Sequence, residues 1–432
     1  MTKKRNAWLP DFGAHGWGIV LLAAAFYYCG NLLDAGLNSV LNVYNAQFGW
    51  DNVKMTSIVT IGGWLSVIGI ILFGALCKKK GAKITSVIGL IGGAVGLILL
   101  GAANNFTMFA AGVIIFLFCL TGFMIIGVGQ FGANWFPRKT GAYMGLATAG
   151  LTISAATLNL IILGITKTNK IGVFMYGLAA VMIVLAIIVI AFVHNYPEEV
   201  GCYPDNDNTV SREQINAEKA AMEEYRKNSP YTLKKVLSMK ETWLVAIGWS
   251  LPMMAASGLI GQLGFAMVEY GHDFMFGIML LTYTWPVGLV GSYLLGVLDD
   301  KKGTKLASLV IVAIEAIGAA IILFFGASKF MAALGAGLML FAMSGVTNIT
   351  VSMSTTVFGR RDFDNFWPTV STIYKIIVAA GAVVVASVAA KANYHAAFGT
   401  AIGICVVAFI IMIFTSNKCV TNDELMEHKL FE

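Results

Sequence analysis

The chain has 432 residues, 58% of them hydrophobic and only 12% charged, with a net charge of +6 and a mean hydropathy of +0.77. A globular domain carries about a quarter charged residues, so this chain cannot cover itself with a solvated surface and must take lipid as part of its solvent. The positive charges sit in short loops and line no groove, which excludes a nucleic-acid partner, and the six scattered cysteines lack any CxxC spacing, which argues against a disulfide framework, a zinc site or any other cofactor.

The N-terminal MTKKR leads into an apolar stretch after Gly16 that is too long for a cleavable signal, so the first helix is expected to remain as an anchor. About 20 apolar residues cross roughly 30 Å of hydrocarbon. On that rule the sequence predicts spans at 17–41, 54–77, 84–103, 107–134, 141–165 and 171–193, then at 242–268, 274–298, 304–325, 329–357, 366–390 and 396–415. The expected fold is an all-α membrane protein of twelve transmembrane helices in two pseudo-symmetric six-helix bundles.

Span one carries Tyr27, Asn31, Asp34, Asn38 and Asn42 on one helical face. Lipid would penalise that face, so it is expected to line a central cavity. Asp34 falls towards the outer end and is a candidate gate or proton carrier; a hydrated acid at the outer mouth explains it equally well. Gln130 and Asn134 share a face of span four. After span six, residues 196–240 read as a polar linker between bundles 1–195 and 241–417, with a tail at 418–432. Within the linker, Ser211 and Gln214 form a capping box and Glu223 with Lys227 an i,i+4 pair, predicting a short charged surface helix.

In the second bundle, Ser250, Met254 and Ser257 stripe span seven; Trp285 and Ser292 share a face of span eight; Ser344, Asn348, Ser352 and Thr355 stripe span ten. Each is a candidate for an amphipathic substrate cavity, and helix packing accounts for any single one. Glu315 lies in span nine, a structural or proton-carrying acid. Lys375 falls about ten residues into span eleven, roughly 15 Å deep, too deep to reach the interface. An intramembrane cation marks an anion site, or pairs with a buried acid or helix carbonyls. Trp367 and Tyr374 lie beside it in sequence.

The lysines orient the chain. Lys3, Lys4, Arg5, Lys78, Lys79, Lys80, Lys83, Arg138, Lys139, Lys301, Lys302, Lys305, Arg360 and Arg361 fall on the side of both termini, whereas the opposite loops hold only Lys54, Lys167, Lys170, Lys329 and Lys391. The positive-inside rule therefore predicts cytoplasmic termini in a cell inner membrane. An internal repeat supports two parallel halves: Gly74-Ala-Leu-Cys-Lys-Lys-Lys-Gly81-Ala-Lys83 recurs as Gly296-Val-Leu-Asp-Asp-Lys-Lys-Gly303-Thr-Lys305, offset by 222 residues. By that offset Lys375 maps to Ile153, Asp34 to Ala256 and Glu315 to Gly93, so the charges decorate the halves individually.

These loops resemble the G-x-L-x-D-[RK]-x-G-[RK]-[RK] signature of the major facilitator superfamily, which implies a secondary transporter. The resemblance makes Asp300 a latch for the cytoplasmic gate; Lys78 stands in its place in the first copy. The run Asn134-Trp-Phe-Pro-Arg-Lys-Thr-Gly141-Ala-Tyr-Met-Gly145-Leu-Ala-Thr-Ala-Gly150 and the Gly16-Trp17-Gly18 opening of span one are similar to the oxalate/formate antiporter and monocarboxylate porter families. That resemblance implies a substrate-binding lysine at Lys375 and places Ser292 where an arginine is expected, which favours a monocarboxylate over a dicarboxylate.

The expectation is thus a functional monomer that moves a small organic anion by alternating access, with proton symport or anion exchange as the coupling. Its candidate substrate-binding residues are Lys375, Tyr27, Asn31, Gln130, Trp285, Ser292, Asn348 and Tyr374; its candidate gate or proton-coupling residues are Asp34, Glu315 and Asp300. The rivals are a proton-coupled exporter of an amphipathic solute and a non-transporting sensor of the same fold. An enzyme is disfavoured, because His15, His194, His272, His395 and His428 sit at span ends or outside, and no Walker A sequence is present.

Overall fold

The computed structural model describes residues 11–421 apart from 36, 51, 167–170, 208–212, 215, 218, 219, 222, 223 and 226–228, and its described residues form helices and turns without a strand. The helices fall into twelve passes, several of them broken. Span one comprises Gly13–Gly30, Leu32–Ala35 and Leu37–Phe48; spans two and three form one hydrogen-bonded run, Asn52–Gly101, turned at Gly81. Span four joins Phe106–Leu120 and Val128–Trp135 through a π-helical turn, Thr121–Gly127. Span five is Thr140–Ala147 plus Ala149–Thr166, and span six is Ile171–Phe192.

The second half repeats the plan. Span seven is Lys240–Gly261 followed by Leu263–Glu269, span eight Phe274–Lys302 and span nine Thr304–Phe325. Spans ten and eleven share the run Lys329–Ala379, turned at Gly359, with Gly381–Lys391 completing span eleven; span twelve is Tyr394–Ile413. The repeated loop shows why its second glycine recurs: Gly81 and Gly303 hold φ of +81° and +89°, a conformation in which a side chain is strained. Each half buries an apolar core, that of the first half joined by Val351, Phe363 and Trp367 of the second, while Trp64, Phe192, Phe324 and Phe414 stay largely exposed, the inversion expected of a surface that meets lipid.

Span one was expected as a single helix, and its break at Asn31 has a local cause. The Asn31 amide turns into span five, donating to Leu151 O at 3.1 Å and Ser154 Oγ at 2.6 Å. In the linker, Ser211, Glu223 and Lys227 lie outside the described residues, so the capping box and the ion pair do too; residues 213–225 show helical turns where described, and a separate helix, Leu233–Ser238, leads into span seven.

Candidate functional site

The halves meet at the end of the molecule that carries the lysine-rich loops, here the lysine end. The hydrogen bonds that join spans four and five to spans eight, ten and eleven lie there or a few turns further in. At the rim, the Asp300 carboxyl accepts the Gly141 and Ala142 N–H groups at 3.0 and 2.9 Å, capping the start of span five. The helices touch there backbone to backbone: a Cβ on Gly296 would lie 2.3 Å from Gly141 O.

On the linker side of the same helix start, Asp205 accepts the N–H groups of Arg138 and Lys139 at 3.0 to 3.2 Å. Burial pushes its carboxyl up to about 6, against the pull of those N–H groups and of the two cations. Nearby, the buried Arg360 donates from Nε to Asn134 O at 2.8 Å and pairs through Nη1 with Glu198 at 2.8 Å. Asp362 accepts the hydroxyls of Tyr225 and Ser229 at 2.6 and 2.8 Å, which fastens the linker to the second half.

Deeper in, Thr148 of span five, Ser292 of span eight and Asn348 of span ten form one buried cluster. Thr148 Oγ1 lies 2.5 Å from Ser292 Oγ and donates to Asn348 Oδ1 at 2.6 Å, and Asn348 Nδ2 donates to Ser292 O at 2.8 Å. Trp367 Nε1 donates to Ile125 O at 3.2 Å. Ser292 and Asn348 are thus engaged in closing the halves on each other. Gln130 and Asn134 are buried on the same side, Gln130 Nε2 donating to Asn134 Oδ1 at 2.9 Å and Asn134 Nδ2 to Asn195 O at 3.0 Å.

Lys375 stands two helical turns beyond Trp367, on the far side of this seal. It is half-buried, and among the described residues it makes no hydrogen bond and no ion pair. Tyr374 beside it is half-buried as well. Asn31, one turn from Tyr27, is spent on span five. Glu315 is 1% exposed; Oε1 accepts the Cys405 thiol at 3.6 Å and Oε2 has no partner. Asp34 has its backbone in Leu32–Ala35, but its side chain, like that of Trp285, lies outside the described residues.

Three contributors to the seal went unselected from the sequence. Thr148 sat inside the glycine run among other hydroxyls; Arg360 counted only as a loop cation; Glu198 was one acid of a polar linker of mixed charge. The available signal was position: Arg360 follows the second tight turn, and Glu198 follows Pro197 directly after span six.

The Major Facilitator Superfamily model matches residues 19–362. The fold is similar to that of the human organic anion transporter TETRAN, at 15% identity and a TM-score of 0.69, with 94% of this chain and 100% of that one covered. A variant of the E. coli fucose:proton symporter FucP gives the same four values. The proton:xylose symporter XylE, bound to a brominated deoxyglucose, gives 12% identity and a TM-score of 0.73 over 95% of this chain and 98% of that one. A search of curated protein sequences gave no match.

Proposed function

The chain belongs to the major facilitator superfamily, and we propose that it carries a small organic anion, a monocarboxylate, across the cytoplasmic membrane by alternating access. The observation behind this reading is Lys375: a cation inside a span, without a described partner, just beyond the point where the halves seal. A buried or half-buried charge is costly when left alone, and a carboxylate arriving from the open side would supply the missing counter-charge in a low dielectric. Tyr374 and Tyr27 would orient it.

The positive-inside rule makes the lysine end cytoplasmic, so the arrangement corresponds to a carrier closed inward and accessible from outside. Asp300, Arg360 and the Thr148 cluster then form the inner gate, which must part for release. Proton symport and anion exchange both fit this scheme. Glu315, buried with one oxygen unpartnered, is the acid we assign to carry a proton, and it would serve a proton-coupled exporter equally well.

The test is uptake of radiolabelled mono- and dicarboxylates into proteoliposomes by the wild type and by Lys375→Ala. Saturable monocarboxylate uptake, lost in the variant, is the expected result. Carboxylates ignored by the wild type, or transport unchanged in a folded variant, would overturn the proposal and bring the exporter reading forward.

A further inference from the structure

The outer portions of spans one and seven are both separated from their lower portions by a break, yet the two are fastened to their own halves by different chemistry. In span one, Leu37–Phe48 is held by aromatic packing. The Tyr44 hydroxyl donates to Leu100 O at 2.5 Å, and its ring lies 5.0 Å from Phe109 and 5.7 Å from Trp50. Those contacts join aromatic side chains and a backbone carbonyl.

In span seven, Leu263–Glu269 follows a break at Gln262, where φ is −108° and ψ is 5°. One turn below the break the helix is pinned, because a Cβ on Gly258 would meet Gly381 O at 2.5 Å, whereas Gly261 has nothing against it within 4 Å. Beyond the break the segment is gripped by the start of span twelve. Tyr394 OH donates to Gln262 Oε1 at 2.8 Å. Glu269 accepts the Tyr394 and His395 N–H groups at 2.8 and 3.4 Å, and its Oε1 lies 2.8 Å from His395 Nδ1.

We propose that the Glu269–His395 pair is a proton-sensitive clamp that holds the outer segment of span seven against span twelve while the far end of the molecule is open. The inference rests on the alternating-access reading and adds a pair of positioning residues to it. Closing the far end requires the segments that border it to approach one another. The segment also packs along span eight, where a Cβ on Gly277 would lie 2.7 Å from Gly264 Cα, so a bend at Gln262 that carries it away from span twelve must break the Glu269 contacts. Protonated His395 adds a charge-assisted bond to that seat; neutral His395 leaves Glu269 to the two N–H groups at the helix start.

The other titratable groups around the pair do not compete for this role. Tyr270, whose ring lies 4.5 Å from that of His395, donates its hydroxyl to Leu323 O, and Tyr394 is bonded to Gln262. His272 has its Nε2 2.9 Å from Gly326 O. Asp273 and Lys391 lie nearby in sequence at the ends of spans eight and eleven, both exposed. The tyrosines titrate far above the physiological range, and His272 faces a backbone carbonyl rather than a carboxylate, so His395, on the Glu269 carboxylate, is the switch and Glu269 its anchor.

The sign follows directly. Acid charges His395 and favours the open arrangement; alkali weakens the clamp and favours closure. A part-exposed ion pair of this kind moves such an equilibrium by about three-fold.

The experiment is a spin-label distance measurement in lipid nanodiscs between Gln47→Cys and Val268→Cys, with Cys119, Cys202 and Cys419 replaced by serine, at pH 5.5 and 8. Wild type is expected to show long and short distances whose ratio falls about three-fold from acid to alkali. His395→Arg should keep the long distance dominant at both pH values. His395→Gln and Glu269→Gln should lose the pH slope and favour the short one. Opposite behaviour of the arginine and glutamine variants separates a charge effect from general loosening. A pH slope that survives in His395→Gln, or arginine and glutamine variants that shift alike, would overturn the clamp alone. A single distance that never changes, in any variant, would overturn the clamp and the alternating-access reading together.

Discussion

The two copies of the lysine-rich loop fasten the same end of the molecule by different means. Residues 296–305 present Asp300 to the start of span five, with Gly296 pressed on Gly141. Residues 74–83 keep the close approach, since a Cβ on Gly74 would lie 2.4 Å from Pro368 Cβ, but Lys78 in place of the acid is exposed and without a described partner. The charge that the first copy lacks reappears elsewhere, in the buried Arg360–Glu198 pair. The difference teaches that the repeat preserves a packing geometry, while electrostatic closure is solved separately on each side.

Removing the pair should therefore have the largest effect. Arg360→Ala leaves Glu198 buried without its cation, with an expected loss of about 3–5 kcal/mol. Thermal melting in detergent checks this, and Arg360→Ala combined with Glu198→Gln should recover part of the loss. Gly296→Ala tests the shared packing: a methyl group against a backbone oxygen should penalise the closed arrangement by about 3 kcal/mol. Its signature is strongly reduced uptake with little change in expression.

Asp205 sharpens the comparison through pH. Its carboxyl titrates near 6 in the folded protein because of burial, above the roughly 4 of an unfolded chain. The proton-bound form therefore favours folding: that contribution is complete below about pH 4 and is lost as pH rises through about 6. Asp205→Asn should gain about 2–3 kcal/mol over wild type at pH 7.5 and almost nothing at pH 4, read as melting-temperature differences.

Asp300→Asn keeps one of the two oxygens that accept the Gly141 and Ala142 N–H groups and turns an NH2 donor towards the other. It should shift the gate by about 1 kcal/mol, seen as a few-fold change in exchange rate. Lys78→Ala should change the same rate least, by under about 0.5 kcal/mol. If Lys78→Ala disables exchange as strongly as Asp300→Asn, the two loops are not as different as their contacts imply.

Much of the architecture was legible because apolar length, lysine distribution and the repeated loop all report on the bilayer directly. The breaks were not legible. Asn31 looked like one more member of a polar stripe until its amide was seen bonded to span five, and Gln262 sits in an uninterrupted apolar run. Of the candidate site, Lys375 was readable because a lone cation in an apolar span is conspicuous. Ser292 and Asn348 were readable as polar but not as partners, because their bond to Thr148 joins three spans remote in sequence.

The most direct test of the central claim is equilibrium binding to the purified protein in detergent, by calorimetry, across a panel of formate, acetate, lactate and oxalate. Wild type should bind at least one monocarboxylate saturably, Lys375→Ala should weaken that binding by about 100-fold or more, equivalent to roughly 2.7 kcal/mol, and Lys375→Arg should retain part of it. No carboxylate binding by the wild type, or equal affinity in Lys375→Ala, would contradict the account.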